Sequence, residues 1–406
     1  MMAETKLQFS KEMVEKLSSR YSEDSLIKDR RLKALEIFHQ LPEPMFKYGI
    51  SIMLDISELN LNKINPLEVS ENDFVEIKAD TKSGVIIEDI RKAIATIPEV
   101  RNHFMKYVSV DNKIDALTAA FWQKGTVIYV PKGTVLKSPI EIASKLSSGN
   151  ALEYVMVIVE SSSEVTIIED ISSEKNNADA VYFSGKIVEI VVKDNSIVHY
   201  ASVQNLSRDY FNFVKKRAIV GANSTMNWLD CCLGSKYTRA DIITLLAGRG
   251  AVTNNYGLFF GTGKQQFDLN IGTVHAERNT VCDMMTKGAL NDRAKAVYTG
   301  LVRIEANAAE SNGYQKEDTL LLSPDAEADS IPQLEIDNNE VRCTHGATVG
   351  QVDKEKLFYL MSRGISEKQA KKIVVAGFFE PMILKISVGN VQKKLREIVD
   401  EKIVIN

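Results

Sequence analysis

From about Ala116 to Gly350 the sequence loses helical periodicity and repeats short β-rich runs at intervals of about 9–12 residues, separated by Gly, Asn, Asp and Ser. Val127–Val130, Val155–Val159, Val165–Ile168, Ile187–Val192, Ile197–Leu206, Arg217–Val220, Ile242–Leu246, Phe267–Ile271, Tyr298–Ala306, Leu320–Leu322 and Leu334–Ile336 form the series. Within Tyr298–Ala306, Tyr298, Gly300, Val302, Ile304 and Ala306 share one face while Arg303 and Glu305 fall on the other. More than two hundred residues of short strands without intervening helices exclude a doubly wound α/β domain and leave a sandwich, a propeller or a β-solenoid. No Trp-Asp blade signature supports a propeller, and a left-handed acyltransferase solenoid would show hexapeptide repeats, which are missing. A solenoid lets many weakly similar strands share one continuous interior.

Helical patterns flank this region. Ser10 is placed to cap a helix through about Tyr21, and Leu32, Leu35 and Phe38 mark a second that stops before Leu41-Pro42-Glu43-Pro44. An amphipathic stretch from about Asp89 to Met105 is interrupted near Pro98. After the β-rich region, Asp353 opens a helix ending at Gly364, Ser366-Glu367-Lys368-Gln369 opens one expected to stop at Gly377, and Asn390 caps a third, Lys-rich helix. The expected organisation is a mostly helical part over 1–112, a β core over 113–350 and a helical part over 351–406.

A chain of 406 residues exceeds what one compact core holds, about 250–300 residues, so an elongated repeat body with appendages suits it. A net charge of −4 provides no basic surface for nucleic acid. No segment reaches the ~20 apolar residues needed to span a bilayer, so no membrane role is expected. Met1 to Lys6 run straight into charged residues without an apolar signal region, and the four cysteines include no Cys-x-x-Cys pair; the cytoplasm is the simplest compartment.

Cys343 and His345, two apart on an expected strand, project to one face, where a thiolate and an imidazole would be good ligands for iron or zinc. That face also carries Val341, Ala347 and Val349, and the plain alternative is a packed histidine beside a small inert cysteine. Cys231 and Cys232 are adjacent and point to opposite faces, a poor chelating pair. Cys282 and His275 are read as structural. Gly261-Thr262-Gly263-Lys264 suggests a phosphate loop but lacks the first glycine, where Leu258 stands, and the Ser/Thr, where Gln265 stands; no nucleotide is expected on this chain. No Gly-x-Ser-x-Gly elbow or His-Glu-x-x-His helix points to a hydrolase, and the chain is not expected to be an enzyme. Phe358, Tyr359, Phe378 and Phe379 lie beside charged residues in the C-terminal helices, either packed on the last coil or forming a partner surface.

Several segments resemble the SufB/SufD family of iron–sulfur cluster assembly scaffolds. They are Asn112–Phe121, Gly125–Gly133, Gly288–Asp292 with Ala296–Gly300, and above all Leu320–Ser323, Pro332–Ile336, Cys343–Gly350 and Leu357–Ile365. Leu41–Pro44 is similar to the N-terminal region of the SufD side. The resemblance implies a mainly β fold, a right-handed parallel β-helix flanked by N- and C-terminal α-helical parts. It also separates two subunit types. The SufB type carries a cysteine at the position matching Ala326 and a glutamate after the histidine matching His345, where this chain has Gly346; Cys343-Thr344-His345-Gly346-Ala347-Thr348 resembles the SufD type. A SufD-like scaffold would pair with a SufB-like subunit or a second copy of itself, forming a dimer interface that carries a transient iron–sulfur cluster. It would dock a SufC-like ATPase on its C-terminal helices, through Phe358, Tyr359, Phe378 and Phe379. His345 is then the first metal candidate and Cys343 the second. The rival from another class is a polysaccharide-lyase-like β-helix enzyme, a group usually exported and built around clustered surface carboxylates.

Overall fold

The computed structural model describes residues 9–44, 51–68, 74–80, 83–147, 149–174, 181–385 and 388–403; the opening Met1 to Lys6 lies outside them. Two nine-stranded sheets face each other along most of the chain. The first sheet runs β1 (Phe74–Lys78), β4 (Ile140–Leu146), β6 (Glu164–Ser173), β8 (Ile197–Asn205), β10 (Thr225–Cys232), β12 (Val252–Gly261), β14 (Val281–Leu290), β16 (Asn312–Leu321) and β18 (Arg342–Gln351). The second runs β2 (Ile86–Asp89), β3 (Lys124–Val130), β5 (Ala151–Val159), β7 (Tyr182–Val192), β9 (Tyr210–Val220), β11 (Tyr237–Leu246), β13 (Gln266–His275), β15 (Lys295–Ile304) and β17 (Glu327–Ile336). From β3 onward the chain alternates between the sheets and every pairing is parallel, giving a β-solenoid of eight two-strand turns. β1 and β2 pair antiparallel with β4 and β3 and close the N-terminal end.

Partners in register are separated by 26 residues (Phe211 to Tyr237) to 33 residues (Ala151 to Ser184). Strand starts fall 11–18 residues apart, wider than the 9–12 expected. One corner repeats with particular regularity. Ser162, Asn195, Asn223, Gly250, Asn279 and Glu310 all have positive φ, and each donates its amide to a carbonyl of the next coil. Asn and Gly tolerate this left-handed geometry best. At three coils the following residue adds a hydroxyl rung: Ser163 N–H to Ser196 Oγ, Ser196 N–H to Ser224 Oγ and Thr280 N–H to Ser311 Oγ.

Apolar side chains alternate between an interior column and two outer faces. Val155, Val157 and Val159 point inward with Val188, Ile190 and Val192, whereas Leu152, Tyr154, Met156 and Ile158 point outward beneath the N-terminal helices. Those helices are α1 (Lys11–Arg20), α2 (Ser25–Gln40), α3 (Ile90–Thr96), α4 (Pro98–His103) and α5 (Lys113–Phe121). Arg31 of α2 anchors them: fully buried, it binds Glu23 and donates to the carbonyls of Ala120 and Trp122 at 2.9 and 2.8 Å. Ser10 occupies the α1 N-cap position without a side-chain cap bond, and Pro98 opens α4.

The C-terminal part comprises α6 (Lys354–Ser362), α7 (Glu367–Ile383) and α8 (Gly389–Lys402). Asp353 and Ser366 cap α6 and α7, and Gly364 takes the left-handed conformation after α6. α7 does not stop at Gly377, and α8 is capped at Val388 rather than Asn390. The continuation follows from packing: Val375, Phe379, Met382 and Ile383 bury against Leu229, Leu258 and Phe260 on the outer face of the first sheet. Such burial, ~1.5–3 kcal/mol per large apolar side chain, outweighs the ~1 kcal/mol that an interior glycine costs a helix.

Candidate functional site

The two ends of the solenoid differ. At the N-terminal end β1 and β2 are short antiparallel strands, whereas at the other end β17 and β18 are ten-residue outermost strands with no further strand beside them among the described residues. Most of β18 is exposed, and Ile336 and Val349 lie 42% and 39% open at this end. Such an edge offers a row of unpaired backbone donors and acceptors to another chain.

His345 lies at the centre of β18 and is exposed. Its register neighbour is Gln315, in the interior row Tyr200, Trp228, Asn255, Met284, Gln315, His345. The imidazole thus ends an interior row and is uncovered because no further coil follows. Cys343 shares that face, as its spacing requires, and is half-buried. It is the last member of the row Cys282, Gly313, Cys343. Its Sγ leans into the space over Gly313, 3.0 Å from where a Cβ would stand. Burial raises the Cys343 thiol and pushes Cys282 up to about 12, so both favour the neutral form. The two backbones stand two strand spacings apart, roughly 9.5 Å, too far for a disulfide.

Among the described residues no three His, Cys, Asp or Glu side chains converge on a point where a metal could sit. His345 and Cys343 therefore belong to no such group among the described residues.

The remaining cysteines and His275 are structural. Cys231 packs outward under the C-terminal helices and Cys232 inward, as adjacent strand positions must. His275 is fully buried, shares a 2.7 Å hydrogen bond with Thr280 and is pushed down to about 4 by burial. Thr262 and Gln265, from the phosphate-loop-like segment, bond each other in a turn.

The C-terminal aromatics divide. Phe379 is fully buried against Phe260, with ring centroids 5.8 Å apart, and so cannot contribute to a docking surface. Phe378 is half-covered under Lys287, which donates to its carbonyl at 2.8 Å. Phe358 and Tyr359 are 73% and 57% exposed on α6, a helix with no buried residue. Beside them a cavity of about 460 Å³ opens between the last turn and the helices, lined by Leu321, Leu322, Val352, Leu357, Phe358 and Met361.

Sequence inspection missed the polar content of the interior. Lys186 binds Glu153 at 3.0 Å and Glu169, which also accepts from Tyr200 at 2.9 Å. Lys216 binds Asp230 and donates to Ser202 at 2.8 Å. Burial opposes charge at Glu169, yet Lys186 and Lys216 hold its carboxyl below the usual range. These residues come from distant strands, and only the coil register could have brought them together.

No helix among the described residues is long and apolar enough to cross a membrane. Residues 142–378 match the family described as "SUF system FeS cluster assembly, SufBD core domain", and residues 56–142 match "SufBD protein N-terminal region". The chain is 29% identical to the iron–sulfur cluster assembly protein SufB of Bacillus subtilis (strain 168), over 92% of this chain and 88% of that protein. An iron–sulfur cluster assembly SufBD family protein of Staphylococcus epidermidis (strain ATCC 12228) is also 29% identical, over 91% and 88%. These matches decide against the polysaccharide-lyase alternative. With a solenoid that ends in an open edge and a core match over more than half its length, the chain belongs to the SufBD family of SUF-system iron–sulfur cluster assembly proteins.

Proposed function

We propose that this chain is a SufD-like scaffold subunit whose open end joins a second scaffold chain and presents His345, with Cys343 beside it, to a cluster forming at the seam. The observation that carries this reading is the exposed imidazole in the last strand, whose outer edge has no further strand beside it among the described residues. The Bacillus relative bears the SufB name. Assignment to the SufD side rests instead on Gly346 after the histidine and on Ala326, a small buried side chain just before β17, where the SufB type has its cysteine. The chain acts as a scaffold rather than a catalyst, and its interface partner is a SufB-like subunit or a second copy. Iron and sulfide are cargo, held by groups from both chains because this one supplies an incomplete ligand set.

A SufC-like ATPase docks on α6, through Phe358 and Tyr359 and the adjoining apolar cavity. α7 and α8 carry the movement of that ATPase to the first sheet, on which they are packed.

His345→Ala should lower cluster yield in the reconstituted complex at least severalfold while the complex still assembles, read by iron and sulfide content and by size-exclusion chromatography. An undiminished yield would remove His345 from the mechanism.

A further inference from the structure

One interior row runs along the solenoid towards the open end: Glu169, Ser202, Asp230, Gly257, Thr286, Glu317, Ala347. Glu169 and Asp230 are each neutralised by a lysine reaching from the facing sheet, Lys186 and Lys216. Glu317 breaks the rule. It is 1% exposed, forms no salt bridge among the described residues, and its Oε2 has no hydrogen-bond partner; Thr319 donates to Oε1.

Three further buried polar atoms near it also lack a partner: Tyr298 OH, Gln315 Oε1 and Ser330 Oγ. Tyr298 and Ser330 are register neighbours on the facing sheet, and Gln315 lies two residues before Glu317 on the same face. Ser330 stands beside the Glu317 carboxyl, and Thr286 beside the Tyr298 hydroxyl, without forming well-aligned hydrogen bonds. Native interiors rarely leave several such atoms unsatisfied together. Burial pushes Glu317 up to about 7, as expected of a carboxylate without a counter-charge. All four unpartnered atoms are oxygens, the donor set of a hard divalent cation.

We propose that Glu317, with Tyr298, Ser330 and Gln315, forms an oxygen-lined site inside the last turns that binds a divalent cation such as ferrous iron, one strand spacing behind His345. Gln315 is the register neighbour of His345, so the site lies one strand spacing from that imidazole. Oxygen ligands hold Fe2+ loosely, which suits delivery rather than storage. The inference deepens the scaffold reading, but the site needs only this chain.

Mn2+ serves as the oxygen-preferring probe. Titrated into the full-length chain, it should lose its free-ion EPR signal at one site. Glu317→Gln should weaken uptake at least tenfold and Tyr298→Phe severalfold. Thermal melts at pH 5 check that the variants fold, and Tyr298→Phe keeps the ring packing should Glu317→Gln fail. No uptake by the unaltered chain, or full uptake by both interior variants, would overturn the site assignment. Failure of the scaffold reading would appear separately, as unchanged cluster yield in His345→Ala.

Discussion

Lys186 and Glu317 show how one interior treats charge in two ways. Lys186 is buried between Glu153 and Glu169, and although burial alone would lower its pKa, the two carboxylates raise it. Lys186→Ala should cost about 3–5 kcal/mol at pH 7, because it removes the cation bound to the fully buried Glu169 and the part-buried Glu153. Glu169 is held below its usual value, so its contribution is present above about pH 4.3 and is lost as pH falls. Urea unfolding at pH 7 and pH 4 should therefore show the Lys186→Ala deficit shrinking in acid. Glu317 behaves oppositely. Its folded value, about 7, lies above its unfolded value, so stability tied to its proton is complete in acid and is lost as pH rises to 7. Glu317→Gln should match the unaltered protein near pH 4.5 and exceed it by up to about 3 kcal/mol above pH 7 in metal-free buffer. Equal pH profiles for the two proteins would place Glu317 in a wetter setting than the geometry shows. None of this was legible in the sequence, where nothing marks Glu153, Glu169 and Lys186 as neighbours. His345 and Cys343 were legible because two-residue spacing alone fixes their common face.

At the scale of elements, the strands visible in the sequence are those with apolar interior rows, such as β5 and β7. β10, β12 and β14 were passed over because their inward positions include Asp230, Asn255, Gly257 and Thr286, and because their outward positions are apolar under α7 and α8. Alternation fails when both faces are covered. Spacing was misjudged for a related reason: the regular signal sits in the corners, at the left-handed Asn195, Asn223 and Asn279, each followed by a hydroxyl residue. The same covering explains why α7 outruns Gly377 and why the aromatics divide. Phe379→Ala should destabilise the chain by about 3–5 kcal/mol, seen as a lower urea midpoint. Phe358→Ala with Tyr359→Ala should change that midpoint by no more than about 0.5 kcal/mol and yet weaken SufC capture at least tenfold. Deleting all three helices would be a poor test, since it uncovers Leu229, Leu258 and Phe260.

For the molecule as a whole, the asymmetry of the two ends sets what it can assemble. A solenoid with two open ends could add copies without limit, but β1 and β2, five and four residues long and antiparallel, blunt one end. Among the described residues only the β17–β18 end offers two long strands, so association through it closes at two chains, by a two-fold axis for identical copies. Ile336 and Val349 are the exposed large apolar side chains on these two strands. Pairing would continue both sheets across the seam and bring two copies of the His345 position, or one beside a partner's ligands, into a single interface. Ile336→Lys with Val349→Lys should keep the fold, since neither side chain is buried, while placing like charges where the edges meet. Light scattering should then show the unaltered chain as a dimer, or as a one-to-one complex when a SufB-like subunit is added, and the double variant as a monomer in both cases. Should the double variant still associate with unchanged mass, the seam lies elsewhere on the surface and His345 faces solvent rather than a partner.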